Sequence, residues 1–254
     1  MKKLLVGFLV FTVVLSFSMA YAAPLQYVNV RPTAIGSSSD GPAFNLQALL
    51  PLYNVVTDQQ AAGYWQLGGF NPATIPSVAF EITANSATLQ MGIFSDVNGD
   101  TNAAGCTLVD IFRGPAAAGA QASVVFNLAT GVMSIMQVTG AAGAVNAGTF
   151  TGITPSGFGF YIQPTGDSGV TYYSLDQLNG GLAQMVAFRD AASNRWTIGF
   201  EDIAIRNSEG ALQGDYDYND FIFQIESITP VPEPLTLILL GSGLLGLAAI
   251  RRKK

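Results

Sequence analysis

Apolar residues along the middle of the chain recur at every second position, the period of a half-buried strand and not of a helix. Val78, Phe80 and Ile82 alternate with Ala79, Glu81 and Thr83, and Leu89, Met91 and Ile93 repeat the pattern. The stretch SVVFNLATGVMSIMQV reads as two strands around Ala129-Thr130-Gly131, where glycine supplies the positive φ of a tight hairpin. GFGFYIQP, TYYSL, AQMVAF, RWTIGFEDIAI and DFIFQIESI continue the series. About ten strands between Gly, Pro and Asn turns predict an all-β fold, a two-sheet antiparallel sandwich of jelly-roll-like form. The best helix candidate is 43–53, which Pro51 cuts short. No internal repeat or dividing linker interrupts the β region, whose N-terminal part is 23–79 and whose remainder is 80–227.

Both ends depart from the alternation. Lys2 and Lys3 precede an apolar run from Leu4 to Phe17 and then small residues, the order of a secretory signal over 1–22. Ala20-Tyr21-Ala22 fits the cleavage pattern and starts the mature chain at Ala23, with cleavage after Ala23 as the alternative. An uncleaved anchor fits less well, because the apolar run is shorter than the ~20 residues a span needs. At the other end, Leu235 to Ile250 carries no charge and Arg251, Arg252, Lys253 and Lys254 follow. Those 16 residues would cover about 24 Å as a helix, enough to cross a membrane with local thinning. The four basic residues would stay cytoplasmic, which places everything before Pro232 outside the inner membrane.

Pro232-Glu233-Pro234, the apolar segment 235–250 and the basic terminus occur in the order of the PEP-CTERM sorting signal, which residues 231–254 resemble. The resemblance implies a Gram-negative bacterium that makes exopolysaccharide. It also implies processing near Pro232-Glu233-Pro234 by an exosortase, a membrane transpeptidase-like cysteine enzyme. The helix would then hold the chain in the inner membrane only transiently, before release to the cell surface or extracellular matrix. Signal peptidase and the secretion machinery are the other expected processing partners.

Composition narrows the chemistry. Only 11% of the 254 residues are charged, there is no histidine, and Cys106 is the one cysteine. The commonest general base and transition-metal ligand is therefore missing, as are an internal disulfide and a thiolate cluster. Between Ala23 and Pro230, five arginines face 16 acids, a net charge of −11. Such a surface repels phosphate backbones and excludes nucleic acid as a partner. It suits hard cations outside the cell.

The acids are clustered. FSDVNGDTN places Asp96, Asn98, Asp100 and Asn102 at alternate positions, the front half of many calcium loops, or else a solvated Asx-rich turn. GDYDYNDFIFQI places Asp215, Asp217, Asn219 and Asp220 within six residues. Carboxylates this close raise one another's pKa unless a cation or backbone N–H groups sit among them. Glu201 and Asp202 leave the strand that starts at Arg195, close in sequence to that loop. The first-choice calcium ligands are Asp215, Asp217, Asn219, Asp220, Glu201 and Asp202, and the second choice is the Asp96 group.

WTIGFEDI, a polar loop and DYDYNDFIFQI together resemble the domain of unknown function 4114 of bacterial secreted and adhesin-like proteins, over about residues 80 to 227. The matching positions are Phe200, Glu201, Asp202, Ile203, Asp215, Asp217, Tyr218, Asn219 and Asp220. Ile203 stands where leucine is usual, and Tyr216 where charge or a small residue is frequent. Calcium binding is what this resemblance implies.

No nucleophile-elbow, P-loop or zinc signature is present, so the expected protein is not an enzyme. The expectation is an exported, matrix-associated, calcium-binding β-sandwich with a structural or adhesive role. One alternative is a calcium-dependent module that holds exopolysaccharide with Tyr216 and Tyr218. The other is a polysaccharide-cleaving enzyme that uses Glu201 and Asp220 as its carboxyl pair.

Overall fold

The structure is a computed structural model that describes residues 29, 31–32, 35, 45–68, 77–84, 89–96, 103–114, 119–139, 145–164, 170–203 and 215–231. The expected signal at 1–22 with its Ala22/Ala23 boundary, the apolar segment 235–250 and Pro232-Glu233-Pro234 lie outside them. Among the described residues no helix is long and apolar enough to cross a membrane.

Strands form within each stretch where the alternation predicts them, and further strands at 65–67, 106–112, 148–150 and 228–230 add to the series. They are β1 (Trp65–Leu67), β2 (Ser77–Ala84), β3 (Leu89–Asp96), β4 (Cys106–Phe112), β5 (Gln121–Asn127), β6 (Val132–Thr139) and β7 (Gly148–Phe150). Then come β8 (Gly159–Pro164), β9 (Tyr172–Tyr173), β10 (Met185–Asp190), β11 (Arg195–Phe200), β12 (Phe221–Glu226) and β13 (Ile228–Pro230). All pairings are antiparallel. Seven strands run in the order β10-β11-β12-β2-β5-β6-β7, four in the order β4-β3-β8-β9, and β1 pairs with β13. The predicted hairpin joins β5 to β6, with Gly131 at φ 68° and the Asn127 side chain accepting from Ala129 and Thr130.

One apolar cluster takes side chains from all three sheets. Val124, Phe126, Ile198, Phe200 and Phe223 come from the seven-stranded sheet, and Met91, Ile93, Phe160 and Ile162 from the four-stranded one. Trp65 of β1 lies 4.9 Å from Phe160 and 5.9 Å from Trp196, ring centre to ring centre, and is fully buried. A single indole thus touches both larger sheets.

The helix signal shrinks to one turn, α1 (Leu46–Leu49), capped by the Asn45 side chain, which accepts from Gln47 N. Its role comes from packing. Leu46, Leu50 and Val55 join Val186, Phe188, Tyr218 and Ile222 in a second cluster. Along β10, Met185 and Ala187 enter the main core while Val186 and Phe188 enter this one. Both faces of β10 are therefore buried, and its apolar residues run together where an exposed strand would alternate.

Trp65→Ala removes the ring shared by the sheets and should destabilise the protein by about 3–5 kcal/mol in chemical denaturation. A loss well below that range would show that the sheets do not depend on Trp65.

Candidate metal centre

The site grows from one strand junction. Phe200 pairs with Phe221, so the chain leaves β11 and enters β12 at the same edge, and Glu201 and Asp220 sit just beyond that pair. Trp196, Ile198 and Phe200 point into the main core, as the alternation predicts. Gln184 pins the exit of β11: its carbonyl accepts from Glu201 N at 3.1 Å, and its Nε2 donates to the Glu201 and Ile203 carbonyls at 3.1 and 3.0 Å.

The loop before β12 folds back on β11. Tyr216 and Tyr218 both take left-handed backbone conformations, with φ 61° and 54°. Both bracket Asp217. A Cβ on Gly199 would lie 2.5 Å from the Tyr218 carbonyl oxygen, so the loop rests against β11 only because position 199 has no side chain. The Tyr218 ring is buried in the second cluster, and its hydroxyl donates to the Ala183 carbonyl at 3.0 Å. A sugar cannot stack on a ring placed there. Of the two tyrosines expected as a glycan platform, only half-buried Tyr216 remains, and it packs against the same cluster.

Carboxylate oxygens of Glu201, Asp217 and Asp220 all lie within 4.8 Å of one another. Asp217 accepts from Asn219 N at 3.2 Å and Asn219 Nδ2 at 2.6 Å. Asp220 accepts from Asp202 N at 2.8 Å. Glu201 differs. It has no exposed surface, and among the described residues neither carboxylate oxygen has a hydrogen-bond partner. Its pKa is pushed up to about 8, first by burial and then by the charges of Asp220, Asp215 and Asp217. The Tyr218 amide opposes this shift but lies outside hydrogen-bond geometry. Asp220 is raised as well, by burial first and then by Asp202, Asp217 and Asp215.

Among the described residues no arginine forms an ion pair with these three carboxylates. Arg195 is at the opposite end of β11, bonded to Gln224 at 3.1 Å and 4.0 Å from Glu226. Arg206 lies outside the described residues. An ion with metal–oxygen bonds of about 2.3–2.6 Å can touch oxygens up to about 5 Å apart, so one calcium-sized cation could reach all three carboxylates.

The six first-choice residues thus divide. Glu201, Asp217 and Asp220 converge, Asp202 supplies a backbone N–H, Asn219 orients Asp217, and Asp215 adds charge to the pocket. In the second-choice group, Asp96 ends β3, while Asn98, Asp100 and Asn102 lie outside the described residues. Gln184 and Gly199 carry no ligand signal in the sequence, yet they fix where Glu201 and the loop sit.

Residues 148–228 match the family described as Domain of unknown function (DUF4114), and residues 230–253 match the PEP-CTERM protein-sorting motif. No curated protein and no solved structure matches the chain. The DUF4114 match starts at β7, later than the position near 80 expected from the sequence, and still contains every residue of the carboxylate group. β2, β5 and β6 lie outside it, yet they extend the same sheet as β10, β11 and β12. The PEP-CTERM motif marks the chain as exported and surface-destined, with exosortase processing.

The raised carboxyls fix the sign of a pH effect. A carboxyl group with a folded pKa above its unfolded value holds its proton more tightly when folded. Its stabilisation is complete below the unfolded pKa of 4.5 and is lost as pH rises through the folded value of about 8. Stability of chelator-treated protein should therefore fall between about pH 5 and pH 8, by up to about 1.4 kcal/mol per pH unit for each such group. Glu201→Gln should remove its share of the slope. Denaturation midpoints that stay flat across this range would show that Glu201 is not held protonated.

Proposed function

We propose that the protein is an exported β-sandwich that binds calcium at Glu201, Asp217 and Asp220 and serves a structural or adhesive role at the cell surface or in the exopolysaccharide matrix. The observation that carries this reading is Glu201, a carboxylate with no exposure, no hydrogen bond among the described residues and two acids for neighbours. A buried charge without a partner costs far more than a paired one. Such an arrangement is relieved either by a proton or by a cation, and calcium is the hard cation that takes oxygen ligands at these spacings. Magnesium suits the site less well, because it demands a near-ideal octahedron and keeps its waters.

The sandwich reading is supported by the one core that the seven-stranded and four-stranded sheets share. Segment 235–250 would anchor the chain in the inner membrane until an exosortase acts. Cleavage of a polysaccharide by Glu201 and Asp220 fits poorly, because a sugar has no path to a carboxyl group with no exposed surface.

Ion binding to the folded state adds RT ln(1 + [Ca]/Kd), about 2.7 kcal/mol at a hundredfold excess over Kd. In a domain of this size the melting temperature should rise by roughly 5–10 °C at pH 7.5. Glu201→Gln and the pair Asp217→Asn with Asp220→Asn should each remove most of this rise. Magnesium should produce little of it. A melting temperature indifferent to both chelator and calcium would overturn the calcium reading.

A further inference from the structure

The sorting motif begins on a residue that is still part of the fold. Ser227, at φ 64°, turns the chain out of β12 and into β13. Ile228 is fully buried in the main core. Leu67 pairs with Ile228, Gln66 with Thr229, and Trp65 with Pro230. Gly68 N donates to the Ser227 carbonyl at 2.8 Å, and Val231 N donates to the Tyr64 carbonyl at 3.0 Å.

Those two bonds set the phase of the ladder. The hydrogen-bonded pairs are 64 with 231 and 68 with 227, and alternation puts Pro230 at a pair whose N–H would point away from β1. Proline, which lacks that N–H, costs the ladder nothing here. The backbone is therefore held from Ser227 to Val231, and Pro232-Glu233-Pro234 follows at the next residue. Fully extended, the four residues from Pro232 to Leu235 reach only about 14 Å.

Enzymes that process peptides hold an extended stretch of substrate by its main-chain groups. On the N-terminal side of this motif, the groups of Ser227 and Val231 that face β1 are already bonded to it. We propose that the β1–β13 ladder is a clamp on sorting. The exosortase gains its full substrate segment only when β13 is detached from β1, either before the domain closes or during a local opening. The surface the enzyme competes with is the edge of β1 from Tyr64 to Gly68. This inference rests on the reading of residues 230–253 as an exosortase substrate.

The test is pulse-chase of the full chain in exosortase-bearing cells, following loss of 235–254 by intact mass. Two variants are compared with the parent: eight Gly/Ser residues inserted between Val231 and Pro232, and Ile228→Ala. The insert leaves every strand intact and gives the enzyme a free segment. Ile228→Ala loosens the clamp without lengthening the tether. Each should speed processing about tenfold, which corresponds to about 1.4 kcal/mol. An insert processed at the parent's rate would overturn the clamp. So would a fast insert beside an unchanged Ile228→Ala, since tether length alone would then govern. If the parent itself keeps 235–254 outside the cell, the sorting reading falls and the clamp with it.

Discussion

Burial of Glu201 without a hydrogen-bond partner among the described residues is the constraint around which the C-terminal half of the fold is arranged. Polar atoms inside proteins are nearly always bonded, and a carboxylate that loses water and gains nothing is among the costliest groups to enclose. Here the cost is compounded, because Asp217 and Asp220 bring their own oxygens to within 4.8 Å. Folding by itself favours the protonated form, as the shift of Glu201 to about 8 shows. At neutral pH the arrangement therefore favours a proton on Glu201, the place that a cation takes in the proposed function. A sequence shaped only for stability would place an apolar or amide side chain at position 201.

The surroundings keep that geometry from relaxing. Gln184 ties the exit of β11 from two directions, and Gly199 lets the Tyr218 carbonyl sit against the strand. Tyr218 is driven into the second cluster, under Leu46, Leu50 and Val55. The N-terminal segment 45–58 therefore acts on the site at one remove: by covering the outer face of β10 it seals the ring that holds the loop. Trp65 has the corresponding role on the other side, since it touches Phe160 and Trp196 and belongs to the strand that fastens β13.

Much of this was legible in the sequence because half-buried strands write their burial into alternate positions. β5, β6, β11 and β12 stand where the alternation predicts them. The acids were legible for a different reason: a chain with so little charge makes its clusters conspicuous. What could not be read was which of the six grouped candidates converge, because that follows from the pairing of Phe200 with Phe221 across a long loop. Tyr218 looked like an exposed platform because its neighbours are polar, but the left-handed backbone on either side of Asp217 turns it inward. The covering role of 45–58 left only a faint trace, the unbroken apolar run Met185 to Phe188.

The central claim is that the carboxylates of buried Glu201 and Asp217 and half-buried Asp220 form a cation site. Anomalous diffraction from crystals grown with calcium tests it most directly. The account predicts a peak about 2.3–2.6 Å from carboxylate oxygens of Glu201, Asp217 and Asp220. A calcium-soaked crystal that shows no density between them, with Glu201 still buried and unpartnered, would contradict it.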